Sequence, residues 1–454
     1  MKSRLLKYWD LLRSSFWFTP SLMAAGAVAL AYITVGLDQT VTDEWLKRIG
    51  WAYSGGASGA SAVLQTIAGS MITIAGVVFS LTLVALSLAS SQFGPRLLRN
   101  FMRDTTNQLV LGTFVATFLY CLLILRTIRF ADDAAFVPHL SVTLGVVFAL
   151  ASLWVLIYFI HHVSVSIQAD EIVARVGREL SEGIERLFPA KVGETADAAP
   201  EQVALPALFD RESRAVPVHG DGYLQRIDAG ALMALAEELD VVLRVERRPG
   251  HYLVKGSTVI SAWPGERVDD EFIERVNAVV ILGNQRTPAQ DVEFVMYQLV
   301  EIAVRALSPG VNDPFTAIVC LDRLGSGLCR LAERDMPSPF RVDEAGTLRV
   351  VAPRITFPKL VDAAFNQIRQ NSRTSAAVAL RLLETIAEVA AFVRRPGDRA
   401  ALRRHAAMVA RGARAGLEEE EDVRAMEERY AEAMMLLQEA PASTSTSTST
   451  SLPA

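Results

Sequence analysis

Six polar side chains between positions 286 and 313 form the set with the most enzyme-like chemistry in this chain of 454 residues. The set consists of Arg286, Asp291, Glu293, Arg305, Asn312 and Asp313. Its spacing places these groups near the ends of two helices joined by one turn, where arginines and a helix amino terminus favour a bound anion. The same residue types also cap helices and form ion pairs that fix a turn or an oligomer contact. We expect this second role, and we predict no catalytic residue.

No familiar enzyme motif accompanies these residues. The chain lacks the phosphate-binding patterns GxxxxGKS and GxxxxGKT, and it lacks HExxH, GxSxG and CxxC. His161 and His162 lie near Asp170 and Glu171, but neighbouring histidines project in different directions from a helix. An interface role is therefore favoured over metal binding. We predict a protein that is not an enzyme and that holds no metal or cofactor.

A second set of residues, mostly Ser and Thr, lies within a long apolar segment. No Asp, Glu, Lys or Arg occurs in the 45 residues of this segment, from Trp51 to Pro95. Spacings of four and three alternate along it, which keeps the set on one helix face. The members are Thr66, Ser70, Thr73, Val77, Ser80, Val84, Ser87 and Ser91. Such a face packs helices closely, with Gly69 and Gly76 beside it. The alternative is that it lines a hydroxyl path formed by several copies, with valines as apolar constrictions.

Four apolar segments are long enough to cross a bilayer, at roughly 16–37, 61–91, 107–125 and 140–161. None has an ionisable residue near its centre, which disfavours ion-coupled transport. Lys and Arg are denser before the first span and after the second, which predicts that both termini lie in the cytoplasm. The basic residues concerned are Lys2, Arg4, Lys7, Arg13, Arg96, Arg99 and Arg103.

The rest of the chain has the composition of a soluble protein. We expect a four-helix transmembrane domain at 1–165, a helical extension and linker at 166–206, and a small β-rich unit at 207–265. A mainly helical cytoplasmic domain at 266–439 and a disordered Ser/Thr tail at 440–454 follow. The net charge of −5 excludes a basic field for nucleic acid. The three cysteines have no disulfide or metal spacing: Cys121, Cys320 and Cys329.

The β-rich unit is predicted from four short strands and one helix. The strands are expected at 213–218, 222–227, 240–246 and 251–255, and the helix at 230–238. The run from Arg248 to Val259 resembles the turn–strand–turn of barrel-sandwich domains related to lipoyl carriers, in which a hairpin-tip lysine bears the cofactor. Lys255 is expected on the approach to the Gly256 turn rather than at a tip. We therefore predict a structural barrel-sandwich-like unit.

Two cap-and-proline signals predict the helices that carry the polar set. Thr287 followed by Pro288 suits a helix start with Gln290 as the capping-box residue, and the helix should run to about Leu307. Asp313 followed by Pro314 predicts the next helix start in the same way.

The same region resembles a known family. The resemblance lies in Asn284–Thr287, Gln290–Phe294, Gln298–Ala303 and Arg305–Ala317, and in Ser90–Arg96 at the end of the second span. These segments are similar to the signature of an uncharacterised bacterial membrane-protein family, domain of unknown function 2254. The resemblance covers nearly the whole chain except the Ser/Thr tail. It implies a protein of the bacterial inner membrane, and it brings no activity with it.

Three functional hypotheses follow from the sequence. The first is a homo-oligomer in the lipid bilayer whose second span lines or borders a passive pathway for ions or small solutes. The second is a membrane-anchored scaffold or sensor whose cytoplasmic domain binds a ligand or partner. The third, an enzyme using the polar set, has the least support. The sequence identifies no soluble partner.

Overall fold

The structure is a computed structural model that describes residues 17–40, 53, 55–93, 105–129, 136–166, 168–188, 204–353 and 355–438. Side chains are described for all of these except residues 89–93. The basic residues used for orientation, most of the predicted linker and the predicted Ser/Thr tail lie outside these ranges. The chain divides into two compact units, Met1–Glu171 and Ile172–Ala454.

The first unit contains four helices that are long and apolar enough to cross a membrane. They are α1 (Phe18–Thr40), α2 (Ala57–Phe93), α3 (Thr105–Thr127) and α4 (His139–Ser166). All four predicted spans are therefore confirmed as helices. Helix α3 packs against each of the other three. The bundle core forms around Leu64 from α2, Tyr120 and Ile124 from α3, and Val142 from α4.

Polar contacts tie α1 to the start of α4. The Asp38 carboxylate accepts hydrogen bonds from the amides of Leu140 (2.8 Å) and Ser141 (2.9 Å) and from the Ser141 hydroxyl (2.6 Å). The first amides of a helix have no partner within it, so this carboxylate acts as a cap supplied by another helix. Tyr120 donates to the Ser141 carbonyl at 3.1 Å, and its hydroxyl lies 3.1 Å from that of Thr34. The buried polar groups at this end of the bundle are therefore paired.

The second unit is mainly helical. After α5 (Ala169–Leu187), most of which belongs to this unit, come α6 (Phe209–Glu212), α7 (Ala229–Glu238), α8 (Asp270–Val279) and α9 (Val292–Ala306). Five further helices complete it: α10 (Pro314–Ala332), α11 (Phe357–Asn371), α12 (Ala376–Ala390), α13 (Pro396–Gly416) and α14 (Glu420–Gln438). Fully buried Leu299, Leu324, Phe365 and Leu382 lie in their core.

Two sheets accompany these helices. The strands are β1 (Arg214–Pro217), β2 (Gly222–Ile227), β3 (Val242–Val245), β4 (Tyr252–Leu253), β5 (Thr258–Trp263), β6 (Val280–Gly283), β7 (Phe340–Val342) and β8 (Leu348–Val351). The larger sheet has the order β1-β5-β3-β8-β7 and the smaller has the order β4-β2-β6. Strands β3 and β8 are parallel, whereas the other pairs are antiparallel.

The four strands and the helix expected in the β-rich unit are present, with β2 at its predicted bounds. Strands β6, β7 and β8 come from the segment that we expected to be helical. The two mixed sheets do not confirm a barrel-sandwich fold. Lys255 lies in the turn itself with Gly256, not on its approach. Because β4 and β5 belong to different sheets, this turn is not a hairpin tip.

The predicted start of α9 is wrong. The helix begins at Val292 and its N-cap is Asp291, whose side chain accepts from the amide of Phe294. The Gln290 side chain cannot serve a capping box, because its amide binds the main chain of Ile227 in β2. The start of α10 is as predicted, with Asp313 as the N-cap and Pro314 as the first residue.

Candidate functional site

The polar stripe of α2 lies on the face that the other helices of the bundle leave free. Its described members are all exposed: Thr66, Ser70, Thr73, Val77, Ser80, Val84 and Ser87. The opposite face, with Leu64, Ala68, Met71, Ala75 and Val78, is buried. The stripe is therefore not a packing seam among the described helices of one chain. Ser91 belongs to α2, but its side chain lies outside the described residues.

Hydroxyls along the stripe fall into two groups. Thr66, Ser70 and Thr73 donate to the carbonyls four residues earlier, at 2.8, 2.8 and 2.9 Å. Such bonds satisfy a hydroxyl within its own helix. The Ser80 and Ser87 hydroxyls have no hydrogen-bond partner within the described part of the chain. A hydroxyl without a partner is costly in hydrocarbon, so this part of the face suits water or another protein surface.

Two glycines lie on the same free face. A Cβ atom built on Gly69 or Gly76 would meet nothing within 4 Å. Glycine in a helix interior costs about 1 kcal/mol relative to alanine. No contact within the described chain offsets this cost at either position. A second helix approaching closely would use the space that the missing side chains leave.

The free faces of α1 and α4 expose large apolar side chains. On α1, Leu22, Tyr32 and Ile33 are exposed, and on α4 Leu153 and Trp154 are exposed, the latter by 74%. Large apolar side chains of this kind suit contact with lipid tails. Large apolar side chains such as Phe79 and Leu83 are exposed on α2 as well, and α1 has two exposed glycines of its own. The free face of α2 differs from that of α4 in its hydroxyls without a described partner, since every serine and threonine hydroxyl of α4 is hydrogen-bonded.

The six polar residues of the second unit do not form one cluster. They divide between the two ends of α9, a helix of 15 residues that is roughly 21 Å long. Arg286, Asp291 and Glu293 lie at its amino-terminal end. Arg305, Asn312 and Asp313 lie at its carboxy-terminal end and in the following turn. A single anion cannot contact both groups.

Ion pairs hold the amino-terminal group together. Arg286 Nη2 lies 2.7 Å from Asp291 Oδ2, while Asp291 Oδ1 accepts from the Phe294 amide at 3.1 Å. Burial raises the pKa of Asp291 above its ordinary value, and the Arg286 guanidinium opposes this rise. Arg248 Nη2 lies 2.7 Å from Glu293 Oε2 in a second pair. Both carboxylates are therefore matched by an arginine.

The carboxy-terminal group forms a tight turn. Asp313 accepts from the amide of Thr316 at 3.1 Å and from its hydroxyl at 2.5 Å, which caps α10. Asn312 adopts a φ of 50°, a left-handed conformation that asparagine tolerates better than most residues. The Arg305 side chain has no ion pair or hydrogen bond among the described residues. Phe315 next to this turn is 77% exposed.

A pocket of about 440 Å³ lies beside the amino-terminal group. Its walls are mostly apolar, with Ile227, Leu232, Met233, Val245, Val350 and Ile355 among them. Five charged or polar residues also line it: Arg248, Gln290, Asp291, Glu293 and Arg341. A largely apolar cleft with a few convergent polar groups is the usual form of a small-molecule site.

Arg341 differs from the other charged residues of the pocket. Its Nη1 donates to the carbonyls of Phe340 (3.0 Å) and Ser338. No carboxylate pairs with it among the residues that the structure describes. The Arg341 side chain is exposed, and partial desolvation of its guanidinium lowers its pKa. Arg341 is therefore the one pocket charge without a described counter-ion.

Within the described ranges, no group of three or more His, Cys, Asp or Glu residues could hold a metal ion. His162 stacks on Tyr158 with ring centroids 5.9 Å apart, and its Nε2 lies 3.3 Å from the Ser166 hydroxyl. These contacts are local to α4.

Sequence reasoning missed Arg248 and Arg341 as site residues. Arg248 precedes Pro249 and Gly250, which predict a turn. The contact between this turn and α9 depends on residues distant in sequence, so no local pattern indicates it. Arg341 lies in β7, which reaches the pocket only because β8 pairs with β3. No local pattern around Arg341 indicates this pairing.

Four membrane-length helices joined to a separate mixed α/β unit define a multi-pass membrane protein. The chain belongs to the family described as Predicted membrane protein (DUF2254), which matches residues 13–388. The resemblance found in the sequence is thereby confirmed.

Mycobacterial proteins are similar to this chain over most of its length. The uncharacterized protein Rv1290c of Mycobacterium tuberculosis is 34% identical over 424 residues, which cover 91% of this chain and 79% of that protein. The uncharacterized protein Mb1321c of Mycobacterium bovis gives the same identity and coverage. No solved structure matches the chain.

Proposed function

We propose that this protein is a homo-oligomer of the bacterial inner membrane in which α2 faces from several copies border a passive pathway for ions or small solutes. Both termini and the second unit lie in the cytoplasm. The observation that carries the proposal is the free α2 face, where the Ser80 hydroxyl has no partner in the described chain.

A second copy would meet two needs of this face. The open space over Gly69 and Gly76 admits another helix backbone. Water in a pathway between copies would hydrogen-bond to Ser80, which lipid cannot do. The free face of α4 has neither need, because its glycine is packed and its hydroxyls are hydrogen-bonded, so it remains toward lipid.

The chemistry of the stripe favours passive movement. Val77 and Val84 are 53% and 54% exposed on the same face and would form apolar constrictions between the hydroxyls. Such constrictions gate by excluding water. The spans have no ionisable residue near their centres, as proton-coupled transport usually requires.

Planar-bilayer recording of the purified protein tests this function. Val77→Ser should raise the unitary conductance, and Ser80→Leu should lower it. Leu153→Ser on the exposed face of α4 is the matched control and should leave the conductance unchanged. Silence of the parent protein across voltage, tension and pH would contradict the proposal. Equal effects of Val77→Ser and Leu153→Ser would also contradict it.

The pocket in the second unit favours a second candidate, a membrane-anchored sensor or scaffold. In that role the four helices anchor the chain and the second unit binds a ligand. Replacing the exposed stripe residues by leucine would then leave ligand binding intact, while it would abolish a pathway. We assign no enzymatic activity to the polar residues, because two carboxylates pair with arginines and Asp313 caps a helix.

A further inference from the structure

We infer that the pocket between β2, α7, α9 and the β7–β8 hairpin binds an amphipathic monoanion, with an apolar body among its aliphatic walls and a carboxylate on Arg341. This inference deepens the second candidate function, since it names the ligand class that a sensor would detect. It does not depend on the passive pathway.

The walls determine the body of the ligand. Aliphatic side chains from three different elements converge on the cavity: Leu232 and Met233 from α7, Val245 from β3, and Val350 from β8. The volume of about 440 Å³ lies within the range of small-molecule sites. Burial of apolar ligand surface against such walls is favourable, so a wholly polar ligand would leave this part of the cavity unused.

The charges determine the head group. Asp291 pairs with Arg286, and Glu293 pairs with Arg248, so four of the charges at this edge cancel. Arg341 then remains as one positive charge, with only carbonyl oxygens as described partners. A guanidinium binds a carboxylate with two parallel hydrogen bonds. One unpaired cation matches one negative charge, which favours a carboxylate over a dianionic phosphate.

The polar edge also argues against other classes of ligand. A cation would have to lie near Arg341 while both nearby carboxylates are already paired. A neutral apolar molecule would fill the walls but leave the Arg341 guanidinium without a counter-ion. The amide of Gln290 is committed to Ile227 through both of its polar atoms. Its side chain therefore keeps only one N–H and one oxygen lone pair for a neutral polar group.

Binding of octanoate to the full chain in nanodiscs tests the inference, with empty nanodiscs subtracted. Isothermal titration calorimetry should show saturable 1:1 binding, at least roughly tenfold tighter than that of octanol, since a charge-assisted hydrogen bond is lost with octanol. Arg341→Gln should weaken octanoate binding by roughly tenfold or more. Arg341→Lys, which keeps the charge, should retain part of the affinity.

Two further variants make the outcome specific to the pocket. Ala229→Trp places a large side chain in the cavity from an exposed position and should abolish binding. Arg211→Gln removes an exposed arginine outside the pocket and should have no effect. Absence of saturable octanoate binding to the parent chain would overturn the inference, as would equal binding of octanol and octanoate. Preferential binding of octylammonium, blocked by Ala229→Trp, would overturn the inference while leaving the sensor role in place.

Discussion

The Gln290 side chain pairs with the main chain of Ile227 through two hydrogen bonds, each 3.0 Å long. Its Oε1 accepts from the Ile227 amide, and its Nε2 donates to the Ile227 carbonyl. Strand β4 pairs only with the first residues of β2. Beyond the end of β4, the Gln290 side chain supplies the hydrogen bonds to the main chain of β2 at Ile227. This pairing fixes the segment before α9 against the sheet and closes one side of the pocket.

Gly250 occupies the point where the turn after Arg248 approaches α9. Its φ is 96°, and a Cβ there would overlap the Asp291 carboxylate and lie 3.0 Å from Arg286 Nη2. Gly250→Ala should therefore destabilise the protein by about 1–3 kcal/mol, the cost of such local backbone strain. Thermal unfolding measures this, with Gly220→Ala as the control, because a Cβ on Gly220 meets nothing within 4 Å. Equal stability of the two variants would contradict the packing described for Gly250.

Asp291 and Asp313 are both N-caps, but only the former is paired with an arginine in the described structure. Asp313→Ala should cost about 1 kcal/mol through loss of its cap. Asp291→Ala should cost about 2–3 kcal/mol, because it also removes the ion pair with the largely buried Arg286. Chemical denaturation of both variants gives the comparison. A larger loss for Asp313→Ala than for Asp291→Ala would contradict the assignment.

His405 links stability to pH. It is fully buried, its Nε2 lies 2.7 Å from Asp362 Oδ1, and its buried Nδ1 has no hydrogen-bond partner among the residues that the structure describes. Burial lowers the pKa of His405, Asp362 opposes this, and Arg404 and Arg369 add to the lowering. The unfolded chain therefore takes up a proton near pH 6.5, where the folded chain does not. Stability should be full above that pH and fall as the pH drops toward the folded value.

This effect is tested by comparing the parent chain with the His405→Gln variant. The free energy of unfolding of each is measured with denaturant between pH 7.5 and pH 5.5. The parent chain should lose stability across this range more steeply than the variant. Identical slopes for the two proteins would show that His405 does not carry the dependence.

The sequence allowed the spans, β2, α7 and the start of α10 to be predicted, because each depends on local periodicity or a local cap. Thr287 and Pro288 failed as a helix start because the Gln290–Ile227 pairing and the Arg286–Asp291 ion pair join residues from separate elements. Strands β7 and β8 were not predicted, because β8 pairs in parallel with β3, which is far away in sequence. The heptad spacing correctly placed the described stripe residues on one face of α2. The spacing could not reveal that the other helices leave this face uncovered.

Substitutions at and beside a glycine of α2 distinguish an effect on self-association from an effect on folding. Gly76→Leu should abolish self-association while leaving the monomer folded, since the position faces open space. The neighbouring Ala75→Leu should instead destabilise the bundle, because Ala75 is 5% exposed among the packed helices. Light scattering and thermal unfolding in detergent report the two properties. If the Gly76→Leu protein keeps the oligomeric state of the parent, the free face of α2 is not the surface through which copies associate.

Disulfide cross-linking in native membranes tests the central claim, that the free face of α2 meets other copies of the chain. Ser80→Cys would be introduced after Cys329→Ser, since the other two native cysteines are buried. Leu153→Cys, exposed on α4, is the matched control. Mild oxidation should give covalent dimers with Ser80→Cys and few with Leu153→Cys. Cross-linking of Ser80→Cys no greater than that of Leu153→Cys would contradict the account.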